Sequence, residues 1–507
     1  MYNMIAPFLL SAFYNCGAQA VGARNDCDSV LERAQASLEE ERAAEATAAL
    51  LAALPQCPGN AQAYALLGVS FDEQSRYEEA HRAFLKAISL NPTWAPFHNN
   101  LAVSYLHGGN KAAAVAEFQK VLRLDPNNRI AVLNLATYYI EQKDFSRAVE
   151  LLQGAKADSS GDPDLLMLLT KAYLGAGSTQ KASRSGQELS TIAGDNAKLH
   201  FSLGLLFAEQ GQPAEAIKQF QLVSMSERDY ETYENLGLAY MKVGSPDEAR
   251  AAFEAAMRLV PQRPEPYLAL SRIYVASHQP DQALFLLSQA NKQAPGRTDV
   301  VFALAELLIQ TKRFDQADDL LSDSLKQHPS NAMLWQARAD LFRGQHLDEQ
   351  AMAAFRKSLQ IDPKWIASRV GLAQMYQRTG KIEQARAEYE AVLHVAPHSI
   401  EANTGMGNIA LQSGHLEEAI TYLERAFADR PGNSEAGELL ATIRVREGKY
   451  AEADEILRKL IATDPDNARI HYLEGRVLVK LGRNNDSQLE FEKARQLTSS
   501  GPGIESQ

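Results

Sequence analysis

Alanine returns in the same phase along almost the whole 507-residue chain. It stands at Ala46, Ala80, Ala114, Ala148, Ala182 and Ala216, one every 34 residues. After a single step of 33 it continues at Ala249, Ala283, Ala317, Ala351, Ala385, Ala419 and Ala453, and the next step lands on Ser487. Proline keeps this phase twelve residues later, at Pro58, Pro92 and Pro126, then at every step from Pro261 to Pro465. A fixed period of this length marks a repeat architecture, in which each unit buries its apolar face only by stacking on its neighbours. Fourteen units in this register cover residues 27–501, and the one-residue deletion falls between the sixth and the seventh, near 226–230.

Each unit reads as two helices. Leu67-Gly68 with Phe71, Leu101-Ala102 with Tyr105 and Leu236-Gly237 with Tyr240 set a large, a small and an aromatic residue on one helical face. In the second half, Ala80, Phe84 and Ala87 repeat that logic at i, i+4 and i+7. A small residue lets two helix axes approach, and the aromatic fills the space beside it. Between the halves, eight units carry glycine at one place, Gly109 and Gly380 among them, which suits the left-handed residue that ends a helix. The proline near the end of the unit stops the second helix.

The runs Tyr64-x2-Leu67-Gly68-x2-Phe71…Ala80-x3-Phe84…Pro92 and Tyr233-x2-Leu236-Gly237-x2-Tyr240…Ala249-x3-Phe253…Pro261 closely resemble the tetratricopeptide repeat. The resemblance implies an all-α, right-handed superhelical solenoid of about 14 helix-turn-helix units. It also implies that the first helix of each hairpin lines a concave surface that typically binds proteins. The chain further resembles bacterial exported scaffolds of this family that organise envelope or polysaccharide-secretion assemblies.

Some units depart from the pattern. The fifth has Thr170 where a small residue belongs and Gly186 where a large one belongs, and the fourth to sixth lack the terminal proline. Residues 155–230 are therefore the least regular part, and the organisation expected is a leader at 1–26, units one to six at 27–229, units seven to fourteen at 230–501 and a tail at 502–507. Arg444 and Glu474 occupy normally apolar positions in the last two units, as expected if they lie on the water-facing outer side of a terminal repeat.

The formal net charge is −12, which argues against a nucleic-acid partner, since phosphate binding calls for concentrated positive charge. No stretch reaches the roughly 18–20 apolar residues of a membrane span. There is no phosphate-binding GxxxxGK[ST], no HExxH, no CxxC and no GxSxG. His394 and His398 are separated by Pro397, which breaks the helix that would set both on one face. The expectation is a chain that is not an enzyme and needs no cofactor or metal.

The N-terminus has its own signature. Met4 to Phe13 is a short apolar run, followed by Ala18-Gln19-Ala20, a pattern open to signal peptidase, although no Lys or Arg precedes the run. The segment reads as a secretory signal or as an N-terminal cap on the first helix. Cys27 opens the first helix of unit one and Cys57 closes the second. Those ends are neighbours in an antiparallel hairpin, so the pair forms either a disulfide, consistent with export, or two buried thiols.

By the same resemblance, the fifth, ninth and twelfth residues of each unit line the groove. In units four to nine these positions include Leu133, Ile140, Met167, Leu174, Phe201, Leu205, Leu238, Met241, Leu268, Val275, Phe302 and Ile309. They form an apolar track for an amphipathic helix or extended segment of a partner, or they pack sideways on the next unit. The clamp for chaperone tails needs Lys at the fifth residue, and no unit has Lys or Arg there. Asn100, Asn134 and Asn235 share the sixth position but make no continuous ladder. Arg446, Arg469, Arg476 and Lys480 form a basic patch at the far end, or simply solubilise the last repeat. Two functions fit: a protein-binding scaffold, or a substrate-selecting subunit of a separately encoded transferase such as a glycosyltransferase. Twenty-six residues before the repeats and six after them leave no room for a catalytic domain, so the second reading places the enzyme on another chain.

Overall fold

The computed structural model describes residues 26–156, 161–429 and 434–499. The signal-like segment with Cys16, and the tail from residue 500 onward, lie outside the described residues. Among the described residues there are twenty-eight α-helices, one short 3₁₀ turn at Leu54–Gln56 and no strand. The helices form fourteen hairpins, each with a first helix A and a second helix B. Helix A starts in turn at Asp26, Ala61, Ala95, Arg129, Pro163, Ala197, Tyr230, Glu265, Thr298, Ala332, Ile366, Ile400, Ser434 and Ala468. The 34-residue register is therefore the hairpin itself.

Local chemistry sets both ends of helix A. The residue before it is often Asn, Asp or Ser, whose side chain accepts from a backbone N–H of the first turn, as Asn60 does from Ala63 at 3.1 Å and Asn331 from Leu334 at 3.1 Å. At the other end every hairpin has one residue at positive φ. Eight hairpins place glycine there, and the others hold Glu41, Ser75, Lys143, His278, Lys312 and His346 at φ 56–60°. This left-handed residue closes the paired bonds that end a helix: Gly109 N donates to Leu106 O at 3.0 Å and Asn110 N to Tyr105 O at 2.8 Å.

The repeating alanines all have 0% exposure, from Ala46 to Ala453, and Ser487 in the same place has 2%. Beside them the small residue of helix A meets the large residue of helix B. A Cβ added to Gly68 would come within 2.6 Å of the Phe84 ring, and one added to Gly204 within 2.6 Å of Phe220. The fifth hairpin inverts this fit. Thr170 fills the small position and donates to Leu166 O at 2.8 Å, with Ser185 Oγ 3.0 Å away. Gly186 then leaves room for Phe207 of the sixth hairpin, whose ring would lie 2.6 Å from an added Cβ. The two departures seen in the sequence are one compensated exchange of volume.

The deletion is absorbed at a helix end. Helix B of the sixth hairpin (Pro213–Leu222) has 10 residues, where helix B of the seventh (Pro246–Leu259) has 14. Arg228 serves the carbonyls freed by the early stop, donating from Nε to Val223 O at 3.0 Å and from Nη2 to Gln221 O at 2.8 Å.

The chain divides into two compact units, to Ala252 and from Phe253. In the first, an apolar core runs from Ala34 and Leu38 through Phe84 and Phe118 to Leu203 and Phe220. In the second it runs from Leu284 and Leu308 through Phe355 and Tyr389 to Leu440 and Val477. Each core is linear, because each hairpin touches the next rather than a common centre.

A lysine at positive φ is strained by roughly 1–2 kcal/mol, while glycine costs more chain entropy. Lys312→Gly is therefore expected to raise the melting temperature slightly, a gain of up to about 1 kcal/mol, and Gly380→Ala at φ 74° to lower it by a comparable amount. Thermal melts followed by circular dichroism check both signs.

Candidate partner-binding faces of the first helices

The last helix A (Ala468–Lys480) shows which side of a first helix meets solvent. Arg469, Tyr472, Arg476, Val479 and Lys480 are exposed, at the second, fifth, ninth, twelfth and thirteenth residues of the unit, and Ile470, Val477 and Leu478 are buried. The fifth position is exposed in this helix alone and is half-buried or buried in the other hairpins, so in them the same five positions mark a face that neighbouring hairpins partly cover.

The apolar track divides when mapped onto it. Ile140 and Leu174, at 8% and 9% exposure, belong to the core of the first unit and have no face to offer a partner. Leu133, Met167, Phe201 and Leu205 are half-buried and pack against that core, with the Phe201 ring centroid 5.8 Å from that of Phe220. Leu268, Phe302 and Ile309 do the same in the second unit. Leu238, Met241 and Val275 are exposed, at 48%, 41% and 40%. Most of the track is sideways packing between hairpins, because a helix A is flanked by its own helix B and by both neighbouring hairpins. Leu238 and Met241 share helix A of the seventh hairpin (Tyr230–Val243) with Val243, also exposed.

Charge varies along the same positions. In the second and third hairpins, buried Asp72 lies 2.5 Å from His107 Nδ1, and this hydrogen bond lifts the imidazole pKa above its usual value. Glu73 is raised by burial and by Asp72. In the second unit burial raises both Glu306 and Asp340, and the latter pairs with Arg343 at 2.6 Å.

At the C-terminal end, Arg469 Nε meets Glu438 at 2.8 Å. Arg446, Arg476 and Lys480 have no acidic partner among the described residues. Arg444 and Glu474 do not face water as expected. The Arg444 side chain is 12% exposed and pairs with Glu424, Glu447 and Glu452 at 2.6, 2.9 and 3.0 Å. Glu474 is 2% exposed, and burial, with a hydrogen bond to Asp454, pushes its pKa up to about 8. Both fall on the side of helix A that meets the preceding hairpin, so charge there needs internal partners.

One recurring contact was not legible as such. In several hairpins the fourth residue of helix A reaches back six residues to a carbonyl in the loop that ends the preceding hairpin. His98 Nε2 donates to Pro92 O at 3.0 Å, His200 to Gly194 O at 2.9 Å and His471 to Pro465 O at 2.8 Å. Trp335, Arg369 and Asn403 make the same bond to Pro329, Pro363 and Pro397 at 2.8–3.0 Å. Three of the eleven histidines, which look scattered, are thus placed by the period, and their work there is structural. The signal was the shared fourth position, hidden because His, Trp, Arg and Asn share only the ability to donate.

Cys27 and Cys57 are joined as a disulfide with their Cα atoms 6.2 Å apart, tying the two ends of the first hairpin. Among the described residues no group of three or more His, Cys, Asp or Glu side chains is arranged to hold a metal, and no helix is long and apolar enough to cross a membrane. Asn134 and Asn235 each donate from Nδ2 to a carbonyl of their own helix at 2.8 Å.

Models of the tetratricopeptide repeat match residues 65–129, 201–264 and 370–435 in one form, and 105–172, 240–298 and 275–341 in another. The chain belongs to the tetratricopeptide-repeat family. A model of anaphase-promoting complex, cyclosome, subunit 3 matches 412–494. No curated protein matches the chain. Among solved structures it is similar to yeast Tom70, at 17% identity over 83% of this chain and 96% of that one, with a TM-score of 0.44. It is similar also to the APC/C hetero-tetramer Cut9-Hcn1, at 14% identity over 83% and 97%, TM-score 0.38. A third is Naa15/Naa10 bound to HypK-THB, at 13% identity over 94% and 95%, TM-score 0.33. These likenesses are of fold. The repeats are protein-interaction modules, which supports a protein–protein interaction scaffold.

Two of the raised groups, Glu474 and His107, give pH dependence of one sign. The folded chain keeps a proton on Glu474 that the unfolded chain loses near 4.5, so that contribution is complete below pH 4.5 and is lost as pH rises to about 8. Glu474→Gln is expected to melt higher than the parent at pH 8, with the difference shrinking toward pH 5. The His107 contribution is complete below pH 6.5 and is lost as pH rises through its raised folded value. The destabilisation caused by His107→Gln should accordingly be larger at pH 6 than at pH 9.

Proposed function

We propose that this chain is an exported, non-enzymatic scaffold that holds an amphipathic helix or apolar segment of a partner protein on the helix A faces of its sixth and seventh hairpins. The observation that carries the reading is the joint exposure of Leu238 and Met241, beside Val243, on one helix A, where most other apolar side chains of the track are packed. Water exposes such side chains at a cost of about 25 cal/mol per Å², which a covering partner recovers before its own ordering cost. Half-buried Phe201, Leu205 and Ala208 of the sixth hairpin extend the face at lower relief. Export is supported by the Cys27–Cys57 bond, since disulfides persist in oxidising compartments. A place in an envelope or polysaccharide-secretion assembly follows from the resemblance to exported scaffolds of the family.

Leu238→Ser with Met241→Ser is expected to abolish capture of the partner from the native host while the melting temperature barely moves. Phe201→Ser with Phe302→Ser, at packed positions, should instead melt several degrees early. If the exposed pair can be changed without loss of the partner, the face is elsewhere.

Export has its own readout. Protein from the native host is expected to begin near Val21 and to show Cys27 linked to Cys57 in a non-reduced peptide map. An intact Met1 with both thiols open to alkylation would contradict it.

A further inference from the structure

We infer that the exposed face of the last helix A is a second partner site, and that it takes an extended acidic segment carrying one apolar side chain, in the pattern apolar-x-acidic-x-acidic. This surface is separate from the apolar face proposed above and opposite to it in chemistry.

The charge is concentrated, and two of the three cations on this helix are unspent. All five solvent-facing positions of Ala468–Lys480 are either cations (Arg469, Arg476, Lys480) or exposed apolar residues (Tyr472, Val479), with no acid among them. No other hairpin has more than one Lys or Arg at those positions, and the whole chain carries −12. Across helices A of the last two hairpins, Arg444 and Arg469 are held in ion pairs. Arg446, Arg476 and Lys480 are not, among the described residues. The Arg469–Glu438 contact joins the two helices, so Arg446 of Ser434–Arg446 belongs to the same surface. An anionic partner is the complement that such a surface selects.

Spacing makes the reading specific. Tyr472, Arg476 and Lys480 stand four residues apart on one helical face, so they step along the axis by about 6 Å. In an extended chain, alternate side chains on one side step by about 6.6 Å. A segment lying along the helix would set an aliphatic or aromatic residue on Tyr472 and carboxylates on Arg476 and Lys480, while Val479 and Arg446 line its flanks. Tyr472 is 52% exposed and Val479 48%, with the Tyr472 ring propped against Phe491 at 5.6 Å between centroids. A ring held in this way makes a firm apolar platform between charges.

The probe is a fluorescein-labelled peptide, Gly-Ser-Leu-Ser-Glu-Ser-Glu-Ser-Gly, read by fluorescence anisotropy on the full chain at low and at physiological salt. Binding is expected, with affinity falling as salt rises. Arg476→Glu with Lys480→Glu should weaken it by about tenfold or more, and Tyr472→Ala by roughly fivefold, with unchanged melting temperatures because these side chains are exposed. Leu238→Ser with Met241→Ser should leave peptide binding unchanged, so failure here and failure of the apolar face are read separately. The inference is overturned if the peptide shows no binding up to about 1 mM. Equal binding by the peptide with Gln in place of both Glu residues also overturns it, as does equal binding by a decathymidylate, which would mark a bare cationic patch.

Discussion

Everything in this fold depends on how closely helix B can approach helix A, and that distance is set by one methyl group per hairpin. The periodic alanines are without exposure at every repeat from Ala46 to Ala453. A larger side chain there would push the axes apart and strand the aromatic that fills the adjoining space, at a cost typical of overpacked cores, about 1–3 kcal/mol. The small residues of helix A, such as Gly68 and Gly204, meet the Phe84 and Phe220 rings so closely that a Cβ would collide. The period is strict because it fixes a distance rather than a composition. Where the distance is kept by another route, as by the Thr170, Ser185 and Gly186 exchange, the sequence is free to drift.

Joining one hairpin to the next follows a looser rule. The loop after helix B carries a carbonyl that needs a donor, and in several hairpins the fourth residue of the next helix A supplies one. His98, Trp335, Arg369 and Asn403 all satisfy it, with different shapes and the same 2.8–3.0 Å bond to a carbonyl six residues back. Steric rules print themselves in sequence as one residue type. Hydrogen-bond rules print themselves as a class, which a single chain barely reveals.

That contrast explains how much could be read beforehand. Hairpin count, register and the left-handed turn were legible because alanine, proline and glycine have few substitutes for what they do. Even there, Lys143 and Lys312 hold the left-handed place without being glycine, and only backbone geometry shows it. Groove positions were legible as positions but not as exposure. Ile140, Leu174 and Met241 occupy the same twelfth residue of their units, yet the first two are core and the third is open. Burial at a groove position depends on the neighbouring helices A, and a pattern read within one unit carries no information about them. Glu474 erred in the opposite sense: a charged residue at an apolar position suggested water, and the side chain is instead enclosed with Asp454 and Arg458.

A linear core has a consequence for where binding can evolve. In a globular domain, changing surface charge on one side alters the field across the whole molecule. Here each hairpin rests only on its neighbours, so the outer face of one helix A can be rewritten while the alanine contact beneath it stays fixed. The seventh hairpin has become apolar at Leu238 and Met241, and the fourteenth cationic at Arg476 and Lys480, over the same buried scaffold. Charges that would strain the fold have been paired internally, as Arg444 is with three glutamates, whereas those left unpaired lie on the open face. A cation without a partner costs little in water and gains most when an acidic ligand arrives. Selection for stability alone would have no reason to leave two of them on one helix, beside the paired Arg469.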